Sequence, residues 1–205
     1  AMCKKPVIVF EGIEGSGKTT HFNFVSNFLK KRRIDHLKIR EPGGSKNSEK
    51  IRKLILDNKS DFDKNTDLLL YLASRSENIQ ELKKNFKKKV ILIDRFSDST
   101  IAYQHYGLGV NLSLINVINK ELLKNFKIDF TFLNTVNMSN MKKRLTIRKK
   151  LNRYDKFDLN FYQRVQKGFL NISKKKKKNY QIIDSNLDIN LNKKIIIQKI
   201  ESLIK

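Results

Sequence analysis

The sequence predicts an α/β fold with a central five-stranded parallel sheet and helices on both of its faces. First, short apolar runs alternate along the chain with longer segments whose apolar residues recur at helical spacing, which is typical of parallel strands joined by helical crossovers. Second, residues 90–93 form an unbroken apolar run that ends in Asp94 and Arg95, as expected of a buried parallel strand with charges at its carboxyl end. The length of 205 residues favours a single domain over residues 2–205.

The first predicted unit is a strand, a glycine-rich loop and a helix. Residues 6–10 form an apolar run, and Phe22, Val25 and Leu29 recur at helical spacing downstream. Between them, residues 12–19 read GIEGSGKT and match the phosphate-binding pattern G-x-x-x-x-G-K-[ST]. Such a loop directs backbone N–H groups and the positive end of the helix at the phosphates of a nucleotide. The alternative is a glycine-rich turn without a ligand, which the flanking strand and helix disfavour.

The loop also predicts roles for its polar side chains. Lys18 is expected to reach the β- and γ-phosphates, and the hydroxyl of Thr19 is expected to bind Mg²⁺. The residues expected to bind the donor nucleotide are Gly12, Ile13, Glu14, Gly15, Ser16, Gly17, Lys18, Thr19 and Thr20.

The later elements continue the alternation. Further strands are predicted at residues 35–40, 90–93, 128–133 and 180–183. Helices are predicted in the intervals and at the end of the chain, with long ones at residues 67–86 and 191–204. Residues 142–156 include the stretch RKKLNR, which is too polar for a core and predicts a mobile lid. In this lid, Arg144 and Arg148 are expected one turn apart on a helix face.

The composition disfavours several classes of protein. The formal net charge is +24, but lysine is spread over most predicted helices and only residues 174–178 form a block, so specific nucleic-acid binding is disfavoured. No apolar run is long enough to cross a membrane and no signal peptide is evident, which favours the cytoplasm. The single cysteine, Cys3, excludes an internal disulfide and a cysteine metal site, and the histidines lack metal-ligand spacing.

Arginines at predicted strand ends and in the lid narrow the choice among proteins with a phosphate loop. No guanine-reading N-K-x-D pattern is present, and the chain is shorter than most helicase cores. Transfer of a phosphoryl group between two nucleotides depends on charge neutralisation and alignment, which convergent arginines supply. The pattern therefore favours a kinase that acts on a nucleotide.

Four stretches carry a resemblance to a known family. They are residues 10–20, residues 40–44 with the sequence REPGG, residues 69–75 with LLYLASR, and residues 94–104 with DRFSDSTIAYQ. In order and spacing, over nearly the whole chain, they resemble the thymidylate kinases. The resemblance implies a P-loop NTPase fold, transfer of the γ-phosphoryl group of ATP to thymidine monophosphate for dTTP synthesis, a Mg²⁺ cofactor and a cytoplasmic homodimer.

The resemblance also implies the acceptor site. Arg95 is expected to hold the acceptor phosphate, because a planar guanidinium binds two oxygens at once, and Tyr103 is expected to crowd a 2′-hydroxyl. Tyr71, where the family usually has phenylalanine, is expected to stack on thymine. The residues expected to bind thymidine monophosphate are Glu14, Glu41, Arg52, Tyr71, Arg75, Arg95, Thr100, Tyr103 and Gln104. The structural alternatives are a strand-end ion pair for Asp94 and Arg95, a core aromatic for Tyr71 and a solvated helix arginine for Arg52.

The phosphate loop divides the family into two forms. One form carries an arginine inside the loop, whereas this loop carries Glu14, Gly15 and Ser16. The resemblance therefore implies a catalytic arginine from the lid, and the alternative for the lid is a flexible basic linker. The expected catalytic residues are Lys18, Asp94, Arg95, Arg148 and Arg153, and the expected metal site is Thr19 with Asp94. Departures from the family pattern occur at Asn134, Asn152 and Asp155.

Two other functions stay open at this point. A kinase of another nucleoside monophosphate, such as that of uridine or guanosine, is disfavoured by the combination of Arg75, Tyr103 and Gln104. A basic nucleic-acid-binding ATPase predicts ATP hydrolysis that nucleic acid stimulates, with a steep dependence on salt.

Overall fold

A computed structural model describes residues 5–148 and 152–205. Cys3 and residues 149–151 of the predicted lid lie outside the described residues. One parallel sheet has the strand order β2-β3-β1-β4-β5. Its strands are β1 (Val7–Gly12), β2 (His36–Arg40), β3 (Val90–Asp94), β4 (Phe130–Thr135) and β5 (Tyr180–Asp184). The predicted five-stranded parallel sheet is confirmed, and the predicted strands lie within two residues of the observed bounds.

Helices connect successive strands. They are α1 (Lys18–Lys31), α2 (Lys46–Leu56), α3 (Lys64–Asn85), α4 (Ser97–Thr100), α5 (Leu112–Leu123), α6 (Met138–Thr146), α7 (Leu159–Lys175) and α8 (Ile189–Ile204). Helix α4 continues directly as a π-helix over Ile101–Gly107, and short 3₁₀ turns lie at Arg153–Lys156 and Lys177–Asn179. Among the described residues, no helix is both long enough and apolar enough to cross a bilayer.

The core has two layers because successive residues of β1 face opposite sides of the sheet. Ile8 and Phe10 pack on the side covered by α1 and α8, whereas Val7 and Val9 pack on the side that α3 covers. Both pairs are buried, so β1 needs apolar residues at every one of these positions. This burial explains the continuous apolar run in the sequence.

The carboxyl ends of three neighbouring strands meet at one edge of the sheet. In the register of the sheet, Asp94 of β3 lies beside Phe10 of β1 and Arg40 of β2. The phosphate loop leaves β1 at this edge, and Arg95 leaves β3 there. In open parallel sheets this edge is where ligands bind.

One local prediction is wrong. Helix α6 ends at Thr146 with Ile147 as its C-cap, so Arg144 and Arg148 do not share a helix face. The backbone N–H of Arg148 still bonds the carbonyl oxygen of Leu145, at 3.0 Å, which tightens the end of the helix into a turn. Arg148 therefore leaves the helix axis and points elsewhere than Arg144.

Candidate active site

A cavity of about 530 Å³ opens at the carboxyl edge of the sheet. Its walls come from the phosphate loop, the ends of β2 and β3, helices α2 and α3, the π-helix and the segment after α6. All the residues expected to bind the acceptor line it, as do those expected to bind the donor except Gly12. The structure thus brings both predicted sets together in one space.

The phosphate loop takes its shape from glycines. At Gly12 φ is +147°, and a Cβ there would lie 2.5 Å from the carbonyl oxygen of Asn134, so β4 packs directly against the start of the loop. Gly17 has φ +77° and caps helix α1, which places the first turn of α1 at the cavity wall. The helix dipole and its free N–H groups thus face the cavity.

Lys18 and Asp94 form a buried ion pair at the back of the cavity. The Lys18 Nζ atom donates a hydrogen bond to Asp94 Oδ1, and the Lys18 side chain is only 7% exposed. Burial lowers the pKa of Lys18 below its ordinary value, although the charge of Asp94 opposes this. Burial alone raises the pKa of Asp94, but the charge and hydrogen bond of Lys18 outweigh it and hold this pKa below its ordinary value.

Arg95 lies at the junction between the loop and the rest of the cavity. Its guanidinium donates hydrogen bonds to the carbonyl oxygen of Gly12, at 2.6 Å, and to Glu14, at 2.9 Å. The hydroxyl of Tyr103 also donates to Glu14, and the Tyr103 ring centre lies 5.0 Å from the guanidinium carbon of Arg95. Burial raises the pKa of Tyr103 well above its ordinary value, so the hydroxyl stays neutral and keeps its proton.

Arg75 is a buried centre of polar contacts, only 1% exposed. It donates two hydrogen bonds, of 2.9 and 2.7 Å, to one carboxylate oxygen of Glu41, and single bonds to Asn119 and Thr100. Burial raises the pKa of Glu41, while the charge of Arg75 opposes the rise. The other carboxylate oxygen of Glu41 has no hydrogen-bond partner among residues 5–148 and 152–205.

The remaining predicted acceptor residues lie around this centre. The ring of Tyr71 packs edge-to-face on Tyr154, with the ring centres 6.1 Å apart. Gln104 is fully buried in the cavity wall and directs its Nε2 atom toward Asp67 and Tyr154. Arg52 donates a 2.6 Å hydrogen bond to the carbonyl oxygen of Pro42 and lines the cavity.

The two predicted lid arginines, Arg148 and Arg153, lie in different cavities. Arg148 lines the cavity and donates a 2.9 Å hydrogen bond to Asp155. Arg153 does not line it, because the buried carboxylate of Asp67 binds its guanidinium, which also lies 5.4 Å from the ring centre of Phe62. Arg153 instead lines a second cavity of about 480 Å³ on the other side of Asp67. Of the two arginines predicted to be catalytic, the structure brings Arg148 to the central cavity and Arg153 to the second one.

Arg144 takes a position that the sequence reasoning did not assign. Its guanidinium donates hydrogen bonds to the carbonyl oxygen of Gly15, at 2.8 Å, and to that of Ser185, at 2.7 Å. It thereby ties α6 to the phosphate loop and to the end of β5. A guanidinium from outside the loop thus reaches the loop, which carries no arginine of its own.

Comparison with known proteins decides the family. A family model described as thymidylate kinase matches residues 10–196. The chain belongs to the thymidylate kinase family. The resemblance inferred from four sequence stretches is confirmed, and so is the prediction that the chain is a kinase.

Individual thymidylate kinases match over nearly their whole length. The chain is 40% identical to the thymidylate kinase of Mycoplasma capricolum over 203 residues, covering 95% of each chain. It is 36% identical to that of a Sulfurihydrogenibium species, covering 95% of this chain and 96% of the relative. The crystal structure of thymidylate kinase from Ehrlichia chaffeensis matches with a TM-score of 0.77 and 32% identity, covering 97% of this chain and 99% of that one.

Three residues at or beside the site of this thymidylate kinase were not predicted from the sequence. They are Arg144, Asp67 and Tyr154. Arg144 and Tyr154 line the cavity, and Asp67 accepts hydrogen bonds from two lining residues, Gln104 and Tyr154. A signal for Asp67 was present, because it lies four residues before Tyr71 and eight before Arg75 on the same helix. That spacing puts all three on one face of α3.

Proposed function

We propose that this kinase transfers the γ-phosphoryl group of ATP to thymidine monophosphate in the central cavity, giving thymidine diphosphate and ADP for dTTP synthesis. One observation carries the proposal: Lys18 of the phosphate loop and Arg95 at the end of β3 line a single cavity. Family membership supports the ATP-dependent conversion of dTMP to dTDP. A donor on the loop and an acceptor at Arg95 then place the two phosphates next to each other.

On the donor side, Lys18 binds the β- and γ-phosphates while backbone N–H groups of residues 15–19 surround them. Mg²⁺ fits beside them, because the Thr19 hydroxyl and the Asp94 carboxylate both line the cavity and are oxygen ligands of the kind that Mg²⁺ prefers. The low pKa of Asp94 keeps that carboxylate ionised. When bound, Mg²⁺ neutralises phosphate charge. Thr19 and Asp94 are the protein groups that would hold the ion beside the phosphates of the nucleotide.

On the acceptor side, the guanidinium of Arg95 binds the phosphate, and Glu14 and Gly12 hold that guanidinium in place. Tyr71 offers an aromatic face to the thymine. The free Oε1 atom of Gln104 is a hydrogen-bond acceptor suited to the N3–H group of the base. Tyr103 stands beside the sugar, where its ring crowds a 2′-hydroxyl.

The chemistry requires alignment and positive charge more than a base. Lys18 and Arg95 supply charge at the two phosphates. We assign to Arg148 the role of neutralising the transferred phosphoryl group, and to Arg144 that of fixing the phosphate loop and adding charge beside it. Arg153 reaches the same position only after leaving Asp67, so its catalytic role stays a prediction.

We also propose that the kinase is a cytoplasmic homodimer with no specific nucleic-acid or membrane partner. Support for the dimer comes from exposed apolar side chains on two helices that pack against each other. Leu69 of α3 is 56% exposed, and Leu114 and Val117 of α5 are 42% and 67% exposed. Association of two copies through this face removes apolar area from water.

An acceptor panel tests the proposed function. ADP formation from Mg-ATP is measured with the monophosphates of thymidine, deoxyuridine, deoxycytidine, uridine and guanosine, and with single- and double-stranded DNA. We expect dTMP to give the highest kcat/KM and DNA to give no stimulation. The variant Lys18→Ala is the matched control, and we expect it to lose activity about 100-fold or more. Absence of dTMP-dependent ADP formation by the unmodified protein contradicts the proposal, and stimulation by DNA instead indicates a nucleic-acid-dependent ATPase.

A further inference from the structure

Asp67 joins the lid to the wall of the acceptor site, and none of the roles above uses it. It lies in the first turn of α3 and is only 2% exposed. Its Oδ1 atom accepts a hydrogen bond from Arg153, and its Oδ2 atom accepts from the hydroxyl of Tyr154 and from Gln104 Nε2, the latter at 3.4 Å. Two of these partners, Tyr154 and Gln104, line the central cavity.

The protons in this cluster fix the orientation of the Gln104 amide. The single hydroxyl proton of Tyr154 is donated to Asp67, so toward Gln104 the Tyr154 oxygen acts as an acceptor, at 3.3 Å. The carboxylate of Asp67 is an acceptor as well. Both neighbours therefore require the NH₂ side of the Gln104 amide, and the carbonyl side is turned away from them.

The carbonyl side lacks a hydrogen-bond partner in the described part of the protein. Gln104 Oε1 is buried and has no hydrogen-bond partner among residues 5–148 and 152–205. A buried acceptor without a partner costs stability, so such a group usually marks a place that water or a ligand fills. Gln104 as a residue lines the acceptor site, so a bound base is the candidate partner for this atom.

Arg153 holds the Asp67 carboxylate in place. Its guanidinium lies 5.4 and 5.1 Å from the ring centres of Phe62 and Tyr154 and balances the buried carboxylate. A buried charge without such a partner is costly away from water, so this ion pair stabilises the position of the carboxylate. The same arginine that the sequence assigned to catalysis thus supports the cluster around Gln104.

We propose that Asp67 is a positioning residue that sets the base specificity of the acceptor site, because it fixes the Gln104 amide with Oε1 toward the base. The proposal rests on the proposed function. An acceptor at this place favours pyrimidines that carry an N3–H donor, namely thymine and uracil. It rejects cytosine, whose N3 atom is itself an acceptor, because two acceptors then face each other in a buried site.

The variant Asp67→Asn tests this inference. Its amide offers a donor as well as an acceptor, so the Gln104 amide is free to turn over. We expect the Kd values of dTMP and dUMP to rise together, by about tenfold, while that of dCMP stays equal or falls. The ratio of the Kd for dCMP to the Kd for dTMP then falls by about tenfold or more. Kd values come from titration calorimetry, and the same ratio is measured as kcat/KM.

Two further variants separate positioning from a merely structural role. Asp63→Asn changes the exposed N-cap of the same helix, whose side chain accepts from the N–H of Asn65 at 2.8 Å. We expect it to leave both the melting temperature and the dTMP to dCMP ratio nearly unchanged, because asparagine caps a helix about as well as aspartate. Tyr154→Phe keeps the ring and removes the hydroxyl that bonds Asp67 and Gln104. We expect it to lower the ratio of the Kd for dCMP to the Kd for dTMP by about threefold, in the same direction as Asp67→Asn. Tyr154→Phe therefore tests the positioning of Gln104 even if Asp67→Asn does not fold.

The outcomes are distinct. An unchanged dTMP to dCMP ratio in a folded Asp67→Asn variant, or in Tyr154→Phe where the first does not fold, overturns the inference and leaves the proposed function intact. Equal weakening of all three nucleotides shows a structural role for Asp67 and also overturns it. Failure of the unmodified protein to bind dTMP overturns the proposed function itself and the inference with it.

Discussion

Arg95 donates a 2.9 Å hydrogen bond to Glu14, so the phosphate loop itself holds the arginine that we assign to the acceptor phosphate. Both side chains are largely buried, with 17% and 14% of their side-chain surface exposed. Arg95 also has φ +66°, a conformation that a residue with a side chain seldom adopts. A backbone held in this way at a ligand site favours preorganisation, because the guanidinium needs little reordering when the acceptor binds.

The first prediction concerns the shape of the Arg95 side chain. Arg95→Lys keeps the positive charge but loses the planar fork that bonds Gly12, Glu14 and a phosphate together. We expect kcat/KM for dTMP to fall about 100-fold, which corresponds to about 3 kcal/mol of transition-state stabilisation. Steady-state kinetics at saturating ATP measure the change.

The matched control for Arg95→Lys is Arg32→Lys. Arg32 forms a 2.9 Å ion pair with Glu201 on the surface, where its side chain is 61% exposed. Exposed pairs of this kind contribute little, so we expect unchanged kinetics. Retention of the full rate by Arg95→Lys contradicts a two-oxygen contact with the acceptor phosphate.

The second prediction ranks the arginines around the lid. Arg144 bonds the phosphate loop at Gly15, whereas Arg153 is held by Asp67 outside the central cavity. We expect Arg144→Ala to lower kcat about 100-fold, since it removes a charge at the donor phosphates and a tie to the loop. Arg153→Ala is expected to change kcat less than about tenfold and to act mainly on the KM for dTMP. Lys143→Ala, an exposed change on the same helix, is the control.

A larger loss of kcat in Arg153→Ala than in Arg144→Ala reverses this ranking. It indicates that the lid turns during the reaction so that Arg153 leaves Asp67 and reaches the phosphates. Single-turnover kinetics distinguish the two cases, because they report the chemical step apart from product release.

Much of the fold was predictable from the sequence because it depends on local patterns. The apolar run at residues 90–93 marks a strand that is fully buried, and the positive φ angles at Gly12, Gly15 and Gly17 are ones that glycine adopts readily. Residues that match the family at fixed spacing, such as Arg75 and Gln104, line the cavity. In these cases each residue type is required by the backbone or by its direct neighbours.

The parts that were missed depend on contacts between distant segments. Helix α6 ends two residues before Arg148, and no glycine or proline marks that end in the sequence. Arg153 is drawn to Asp67, 86 residues away in the chain, and nothing local to the lid indicates that partner. Arg144 meets Gly15 across 129 residues. Such pairings follow from packing in three dimensions, and a single sequence does not encode them as a pattern.

The third prediction concerns pH and stability. Glu11 is fully buried, and burial raises its pKa to about 7, above the ordinary value of 4.5. The folded protein therefore keeps a proton on Glu11 that the unfolded chain releases, so the free energy of unfolding falls as pH rises from about 4.5 to about 7 and levels off above that. Relative to Glu11→Gln, we expect the unmodified protein to lose about 3 kcal/mol over this range. Urea unfolding of both proteins at several pH values measures it.

Glu11→Gln is a suitable reference because it does not titrate and keeps the hydrogen-bond acceptor. In the unmodified protein Glu11 Oε1 accepts from the N–H of Phe96, at 2.9 Å, and from that of Ser99, at 3.2 Å. The amide oxygen of glutamine accepts these two bonds, whereas the bond that the Ser99 hydroxyl donates to Oε2, at 2.5 Å, reverses its direction because the amide NH₂ group donates. Parallel stability curves for the two proteins between pH 5 and 8 disprove the assigned titration of Glu11.

The fourth prediction concerns assembly. Val117 on α5 is 67% exposed and stands with Leu69 and Leu114 on the apolar face that we assign to the dimer. Val117→Asp places a charge at that face, and desolvating an unpaired carboxylate costs more than the interface gains there. We expect the variant to sediment as a monomer at concentrations where the unmodified protein is a dimer.

Leu187→Asp is the matched control. Leu187 is 53% exposed and follows β5, away from α3 and α5, so we expect this variant to remain dimeric. Dimeric Val117→Asp, or an unmodified protein that sediments as a monomer, contradicts an interface on this face.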